Sequence, residues 1–220
     1  MEISKHHSWK LGCKEAAKVQ ETLSKKLTLK DDFYSIHKIA GVDTKYQKDA
    51  DTIIGVVIVF SFPGLKIIEE SHWAVKADFP YIPGFLVFRE GPCIEKCFKK
   101  LKNIPDLIFF DGHGYCHPRR FGIASHLGLI LNLPSIGCAK SNLCGEYDRP
   151  VLKRGEFSYI IDGDEVIGAA LVNRDNKNPV FISTGHRISL KNAMGLTLKV
   201  SRFRIPEPIR QAHNFLKSFV

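Results

Sequence analysis

The chain has 220 residues, of which 44% are hydrophobic and 25% charged, and this balance excludes a largely disordered protein. Lys and Arg together number 32 and Asp and Glu 23, so the formal charge is +9. The length allows a full-sized hydrophobic core, and the excess of positive charge favours a polyanionic partner.

The first part of the chain predicts one helix followed by three strands. Apolar residues recur at helical spacing over residues 14–27. Strand-like segments follow at residues 36–46, 52–62 and 66–75, and turn-like sequences separate them. Three strands joined by short turns predict an antiparallel meander.

The middle of the chain alternates helices and strands. Residues 91–103 predict an amphipathic helix with Pro92 in its first turn. A strand over residues 107–110, a helix over 123–131 and a strand over 135–139 follow. This alternation after a meander predicts that the sheet continues with parallel strands.

The tail predicts two more strands, at residues 157–161 and 166–172, a helix from about Leu190 and a last helix after Pro208. No internal repeat or linker interrupts the chain. We therefore expect one domain over residues 1–220, of the α/β class, with a mixed sheet flanked by helices.

Neither the cysteines nor the apolar segments indicate export or a membrane. The six cysteines form no C-x-x-C pair, so reduced thiols in the cytoplasm are expected. The first residues show no apolar segment of a secretory signal, and no apolar run approaches the roughly 18 residues of a membrane span. We expect a cytoplasmic protein that does not bind membranes.

Three acidic residues stand where they could meet. Asp111 ends an apolar strand and precedes Gly112, although an Asp in this position also commonly starts a turn. Asp43 ends a similar run in the first strand, and strands one and four are expected to be neighbours. Glu90 precedes the predicted helix, where it is also an ordinary helix N-terminal residue. Two adjacent carboxylates repel each other unless a cation lies between them, and oxygen ligands suit Mg²⁺ or Mn²⁺.

An acidic metal site in a basic protein favours chemistry on phosphates. A metal ion polarises a phosphodiester and lowers the pKa of a bound water, while basic side chains hold the polyanion. A three-stranded meander followed by parallel strands, with acids on strands one and four, is also the pattern of the ribonuclease H-like fold.

Motifs along nearly the whole chain resemble those of the endonuclease V family, metal-dependent nucleases that recognise deaminated adenine. The matching segments occur in the family's order and include several uncommon sequences. They are residues 80–86, 88–90, 111–114, 117–119, 121–128, 137–141, 185–187 and 204–210.

The resemblance implies a set of catalytic residues. Asp43, Glu90 and Asp111 would be the metal-site carboxylates, with Mg²⁺ as cofactor and Mn²⁺ as a substitute. Lys140 would contact the scissile phosphate and steady the attacking water, and His213 would lie near the metal. Taken without the family, Lys140 reads as a solvated loop residue and His213 as a surface or packing residue.

The resemblance also implies how a lesion is recognised. A wedge would insert into the base stack, and a pocket would receive the flipped hypoxanthine. A rigid aromatic ring can replace lost base stacking worth about 1–3 kcal/mol, although Tyr81 read alone is equally an aromatic packed on its own loop. The wedge residues are Pro80, Tyr81, Ile82 and Pro83, the pocket residues Gly84, Leu86, Gly112 and Ile123, and the nucleic-acid contacts His117 and Arg119.

By the same resemblance, the protein would hydrolyse the second phosphodiester 3′ to deoxyinosine in DNA or inosine in RNA. We expect a monomer, although the sequence does not fix the oligomeric state. The products would carry 3′-hydroxyl and 5′-phosphate ends, and the role would be nucleic-acid repair. Two alternatives stay open: a non-catalytic binder of inosine-containing or structured nucleic acid, and a nuclease of the same fold for another structured DNA or RNA. A zinc site at Cys116, His117 and His113 is disfavoured because the spacing fits no closed four-ligand site.

Overall fold

A computed structural model describes residue 3 and residues 6–219 of the chain. Outside the described residues lie Met1, Glu2, Ser4, Lys5 and Val220. All five belong to the predicted 1–220 domain, and the first four also belong to the segment read for a secretory signal. Within that part the chain forms eight strands and five α-helices. The strands are β1 (Lys38–Gln47), β2 (Thr52–Ser61), β3 (Ile67–Lys76), β4 (Leu107–Phe110), β5 (Ser135–Ala139), β6 (Phe157–Asp162), β7 (Glu165–Leu171) and β8 (Val180–His186). The helices are α1 (Cys13–Ser24), α2 (Leu86–Lys100), α3 (Ile123–Leu131), α4 (Leu190–Lys199) and α5 (Glu207–Leu216).

All eight strands belong to one mixed sheet in the order β3-β2-β1-β4-β5-β8-β7-β6. Strands β1 to β3 form an antiparallel meander, and β4 and β5 continue it in parallel with β1. The register places Val42 of β1 opposite Phe110 of β4 as their last pair, so Asp43 and Asp111 follow that pair at the same end of the two strands. The predicted ribonuclease H-like α/β architecture is confirmed.

Helices cover both faces of the sheet because side chains alternate along each strand. Ile108 and Phe110 point to the face that α1, α2 and α3 cover, whereas Leu107 and Phe109 point to the face that α4 and α5 cover. All four side chains are at most 1% exposed. Two apolar cores therefore fix the central strands from both sides and hold their ends rigidly.

The second helix begins earlier than the sequence predicts. It begins at Leu86 instead of residue 91, so Pro92 lies inside the helix and Glu90 within its second turn. Proline lacks the N–H that would bond the Phe88 carbonyl, which is why we placed it near the helix start. Burial of Val87 and Phe88 in the core outweighs that loss and extends the helix toward its N-terminus.

One strand, β8, is absent from the sequence prediction. It pairs antiparallel with both β5 and β7 and is buried along its whole length. Val180, Phe181 and Ile182 are its only apolar run, and the polar residues after them hid the strand's length. The predicted strands β6 and β7 and the helix predicted from about Leu190 are confirmed. The Asn192 N–H donates to the Ser189 hydroxyl at 3.2 Å and so caps α4.

The cysteines have packing roles. All six are free thiols, and four of them are buried. The Cys93 and Cys97 thiols lie against β2 and β3, where Cys93 donates to the Trp73 carbonyl at 3.1 Å and Cys97 to the Gly55 carbonyl at 3.3 Å. In the part of the chain that the structure describes, no helix combines the length and the apolar character needed to cross a membrane.

Candidate active site

Three carboxylates meet where the pairing between β1 and β4 ends. Asp43 lies on β1 just beyond the last pair with β4, and Asp111 follows β4 directly, with its N–H 3.4 Å from the Val42 carbonyl. Glu90 reaches the same place from α2. Together with Thr44 they line a pocket of about 90 Å³. The structure thus brings together the three acids that the sequence singled out.

The pocket is unfavourable for so many negative charges. Burial raises the pKa of Asp43, and the neighbouring Asp111 raises it further, while the Thr44 N–H and His213 oppose the shift. Burial also raises the pKa of Glu90 to about 8, and the charges on Asp43 and Asp111 act in the same direction. Carboxylates in this state are stabilised by any cation that enters the pocket.

A lysine and a histidine contact the carboxylates. Lys140, directly after β5, places its Nζ 2.5 Å from Asp111 Oδ2. Burial alone would lower the pKa of Lys140, but the ion pair with Asp111 raises it above its usual value. His213 of α5 approaches the carboxylates from the face of the sheet that α4 and α5 cover, and its Nδ1 lies 3.0 Å from Asp43 Oδ2. Five predicted catalytic residues from five elements therefore share one site.

The donor set fits a hard divalent cation. It offers carboxylate oxygens and no thiolate, as Mg²⁺ and Mn²⁺ prefer. Among the described residues, no three His, Cys, Asp or Glu side chains are already grouped as metal ligands. Mg²⁺ does not need such a group, because it is usually held by one or two carboxylates and keeps several waters.

A larger pocket of about 350 Å³ adjoins the carboxylates on the face covered by α1, α2 and α3. Gly84, Leu86, Gly112 and Ile123 all line it, as the sequence predicts for a base pocket. A Cβ at position 112 would lie 2.7 Å from the Ile123 methyl group Cγ2, so the cavity keeps its shape only with glycine there. Leu86, Asp111 and Ile123 line both pockets, which makes them one continuous site.

The predicted wedge forms an exposed loop before α2. Tyr81 is 71% exposed and also lines the larger pocket, while Pro80 and Pro83 are exposed on either side of the half-buried Ile82. Arg89 donates to the Phe79 carbonyl at 2.7 Å and anchors the start of the loop to α2. The loop thus presents an aromatic tip on a fixed base.

His117 and Arg119 hold the backbone at the end of this loop. The His117 Nε2–H and the Arg119 guanidinium both donate to the Gly84 carbonyl, each at 2.9 Å. Burial lowers the pKa of His117 to about 4, so its ring is neutral at pH 7. Gln20 donates to the same carbonyl at 3.0 Å and accepts from Arg119 at 2.7 Å.

Sequence reasoning missed Gln20. It is 1% exposed, on the buried side of α1 between Ala16 and Leu23. A polar residue at a core position of an amphipathic helix must find a hydrogen-bond partner, which was the available signal. The observed contacts of His117 and Arg119 position Gly84. Their contact with nucleic acid stays a prediction.

Comparisons with known proteins agree at the levels of sequence and structure. The family model described as Endonuclease V matches residues 21–214. Endonuclease V of Dictyoglomus turgidum is 48% identical over 207 residues, which cover 94% of this chain and 90% of that protein. The crystal structure of endonuclease V from Streptomyces avermitilis is 33% identical with a TM-score of 0.91 and covers 100% of this chain and 97% of its own.

A third relative was solved with a nucleic acid. Endonuclease V of Ciona intestinalis, in complex with a 24mer DNA containing an inosine followed by a ribo-adenosine, is 26% identical with a TM-score of 0.82, covering 94% of this chain and 98% of its own. Because the family model and the relatives match most of the chain, and the predicted carboxylates meet at one site, this chain belongs to the endonuclease V family of nucleases.

Proposed function

We propose that this protein cuts DNA or RNA that contains deoxyinosine or inosine, at the second phosphodiester 3′ to the lesion, leaving 3′-hydroxyl and 5′-phosphate ends. The observation that carries this proposal is the continuity between the base-sized pocket and the carboxylate pocket through Leu86, Asp111 and Ile123. The complex of the Ciona relative with inosine-containing DNA supports the choice of lesion.

The larger pocket suits a base that has left the helical stack. Its volume of about 350 Å³ accommodates a purine, and Leu86 and Ile123 supply apolar walls. Gly84 and Gly112 bring the backbone close to the base edge, so main-chain groups would read the hypoxanthine. The carbonyl of Gly84 already accepts three hydrogen bonds, which holds this part of the wall in place.

Tyr81 would fill the gap that the flipped base leaves. Its ring is largely exposed beside the mouth of the pocket, and its loop is fixed to α2 through Arg89. Stacking on the neighbouring bases would offset the loss of stacking on base flipping.

Asp43, Asp111 and Glu90 would hold Mg²⁺, or Mn²⁺ in its place. The bound cation supplies charge neutralisation on the phosphate and lowers the pKa of the attacking water. Lys140 is half-exposed at the tip of β5, where its ammonium group would bind an oxygen of the scissile phosphate. His213 would orient the Asp43 carboxylate through its contact with Oδ2.

Other features of the proposal concern the protein as a whole. We propose one domain, because strands from both ends of the chain join a single sheet, and a monomeric nuclease that acts in nucleic-acid repair. Six free thiols suit a reducing compartment such as the cytoplasm.

A side-by-side cleavage assay tests the function. DNA and RNA strands, each carrying one inosine or an adenosine control, are incubated with the purified protein in Mg²⁺, in Mn²⁺ and in EDTA. We expect metal-dependent cuts at the second phosphodiester 3′ to inosine only. Intact inosine strands of both kinds in both metals would contradict the proposal, and tight binding without cutting would favour a non-catalytic inosine binder.

A further inference from the structure

Two arginines and an exposed aromatic ring form a cluster on the face of the sheet covered by α4 and α5. The Cζ atoms of Arg210 and Arg174 lie 4.7 Å and 5.8 Å from the centroid of the Phe203 ring, within the range of a cation–π contact. Phe203 is 43% exposed, although a ring of this size is usually buried. We call Arg174, Phe203 and Arg210 the Arg–Phe cluster.

The backbone under the cluster is firmly tied. Asn173, which precedes Arg174, donates from Nδ2 to the Arg204 carbonyl at 2.9 Å. Arg154 donates to the carbonyls of Asn173 and Ser201 at 2.5 Å and 2.9 Å. These bonds join the two segments that carry Arg174 and Phe203, so the arginines are held in position without a ligand.

The cluster retains positive charge for a partner. Arg210 uses Nε and Nη2 for Glu207, at 2.8 Å and 2.5 Å, which leaves its Nη1 edge available. Arg174 and the neighbouring Arg202 are exposed, and neither forms an ion pair within the part of the chain that the structure describes. Three arginines stand near the exposed ring, while Glu207 pairs with Arg210 and Asp175 accepts from the Arg154 N–H at 2.6 Å, so the surface keeps a positive excess suited to an anion.

Residues next to the cluster in the chain lead to the carboxylate site. Arg204 donates from Nη2 to the Lys140 carbonyl at 2.8 Å. Arg210 precedes His213 by three residues on α5, a distance of about 4.5 Å along the helix axis. The cluster therefore continues the site past Lys140 and His213, on the side away from the base pocket.

We propose that the Arg–Phe cluster binds backbone phosphates of the substrate strand on the 3′ side of the cleaved bond. This inference rests on the proposed function: a strand with its flipped base under α1 to α3 and its scissile bond at the sheet edge continues in the 3′ direction toward α5. Phe203 holds the guanidinium groups by their faces and so presents their N–H edges to phosphate oxygens.

The test compares inosine strands whose arms differ in length. One series lengthens the arm 3′ of the cut from one to ten nucleotides, and a second series lengthens only the arm 5′ of the lesion. Affinity is measured in EDTA to prevent cutting, at several salt concentrations. The variants are Arg174→Gln and Phe203→Ala, and the control is Lys102→Gln, an exposed lysine beyond the opposite end of β4.

For the wild type and Lys102→Gln, we expect affinity to rise with the length of the 3′ arm. Arg174→Gln should bind long 3′ arms about three- to tenfold more weakly and flatten the dependence of log K on log salt by about 0.7–0.9, as for one lost phosphate contact. Phe203→Ala should act in the same direction. The shortest 3′ arm should show no difference among the proteins.

Two outcomes overturn the inference: no difference between Arg174→Gln and Lys102→Gln at any arm length or salt concentration, or a loss that follows the 5′ arm. Unchanged thermal unfolding of each variant excludes misfolding as the cause. Failure of the proposed function looks different, because the wild type would then cut no inosine strand of any arm length in Mg²⁺.

Discussion

The two joined pockets are built on different principles. The carboxylate pocket owes its properties to side-chain charge: burial and mutual repulsion raise the pKa of Asp43 and of Glu90. The base pocket owes its properties to backbone shape, because Gly112 leaves room that a single Cβ would remove. Chemistry and recognition thus occupy one sheet edge and depend on separate features, so substitutions should separate them.

Replacing Asp111 with Asn should separate cleavage from lesion recognition most strongly. The change removes a metal-site charge at constant size, so we expect cutting of an inosine strand in Mg²⁺ to fall by at least about 10³-fold. Thermal stability should change little, since the variant loses both the repulsion by Asp43 and Glu90 and the half-exposed ion pair with Lys140. Binding of the inosine strand in EDTA should persist. Cutting within tenfold of the wild type would exclude Asp111 from the metal site.

Gly112→Ala should impair recognition of inosine instead of cleavage chemistry. The new Cβ meets Ile123 Cγ2 at 2.7 Å and narrows the base pocket, so the preference for inosine over adenosine in binding should fall about tenfold or more. The double variant with Ile123→Ala removes the clashing methyl group and should recover part of that preference. Equal inosine preference in Gly112→Ala and the wild type would show that the pocket does not receive the base.

The carboxylate pocket was easier to predict from sequence than the base pocket was. An acid directly after an apolar run, as at Asp43 within β1 and Asp111 after β4, indicates where the pairing of the two strands ends and therefore where the site lies. Glu90 was grouped with them, and the structure places it in the same pocket. The predicted start of its helix was too late in the chain, because Pro92 suggested a first turn. Gly84 and Gly112 were assigned to the base pocket only through the family resemblance, since a glycine in the sequence does not reveal which atoms would meet its Cβ.

The support beneath the base pocket was the least predictable part. Gln20, His117 and Arg119 come from distant positions and meet at the Gly84 carbonyl. Sequence patterns report which residues share a helix face or a strand end, whereas this meeting depends on how α1 packs beside the loop after β4. The same limit applies to β8, whose polar residues are buried through tertiary pairing with β5 and β7.

Tyr81→Ala should affect recognition and leave both chemistry and folding intact. A lost stacking contact of about 1–3 kcal/mol corresponds to roughly 5- to 150-fold weaker binding of the inosine strand. Stability should not change, because the ring is 71% exposed. Tyr34→Ala, which removes a fully exposed tyrosine before β1, is the matched control and should bind as the wild type does. Equal affinities of the two variants would remove Tyr81 from the wedge role.

The pH dependence of stability tests the carboxylate pocket without a substrate. Since the pKa of Glu90 is raised from 4.5 to about 8, the folded state binds more protons than the unfolded state between these values. Glu90 therefore costs stability increasingly as the pH rises from about 4.5 to about 8, and the cost is constant above that range. Glu90→Gln cannot ionise, so in EDTA its melting temperature should exceed that of the wild type by a margin that grows over this range. Mg²⁺ should reduce this difference in melting temperature by stabilising the ionised carboxylate of the wild type. A difference that depends on neither pH nor Mg²⁺ would mean that Glu90 is ionised and stabilised in the metal-free pocket.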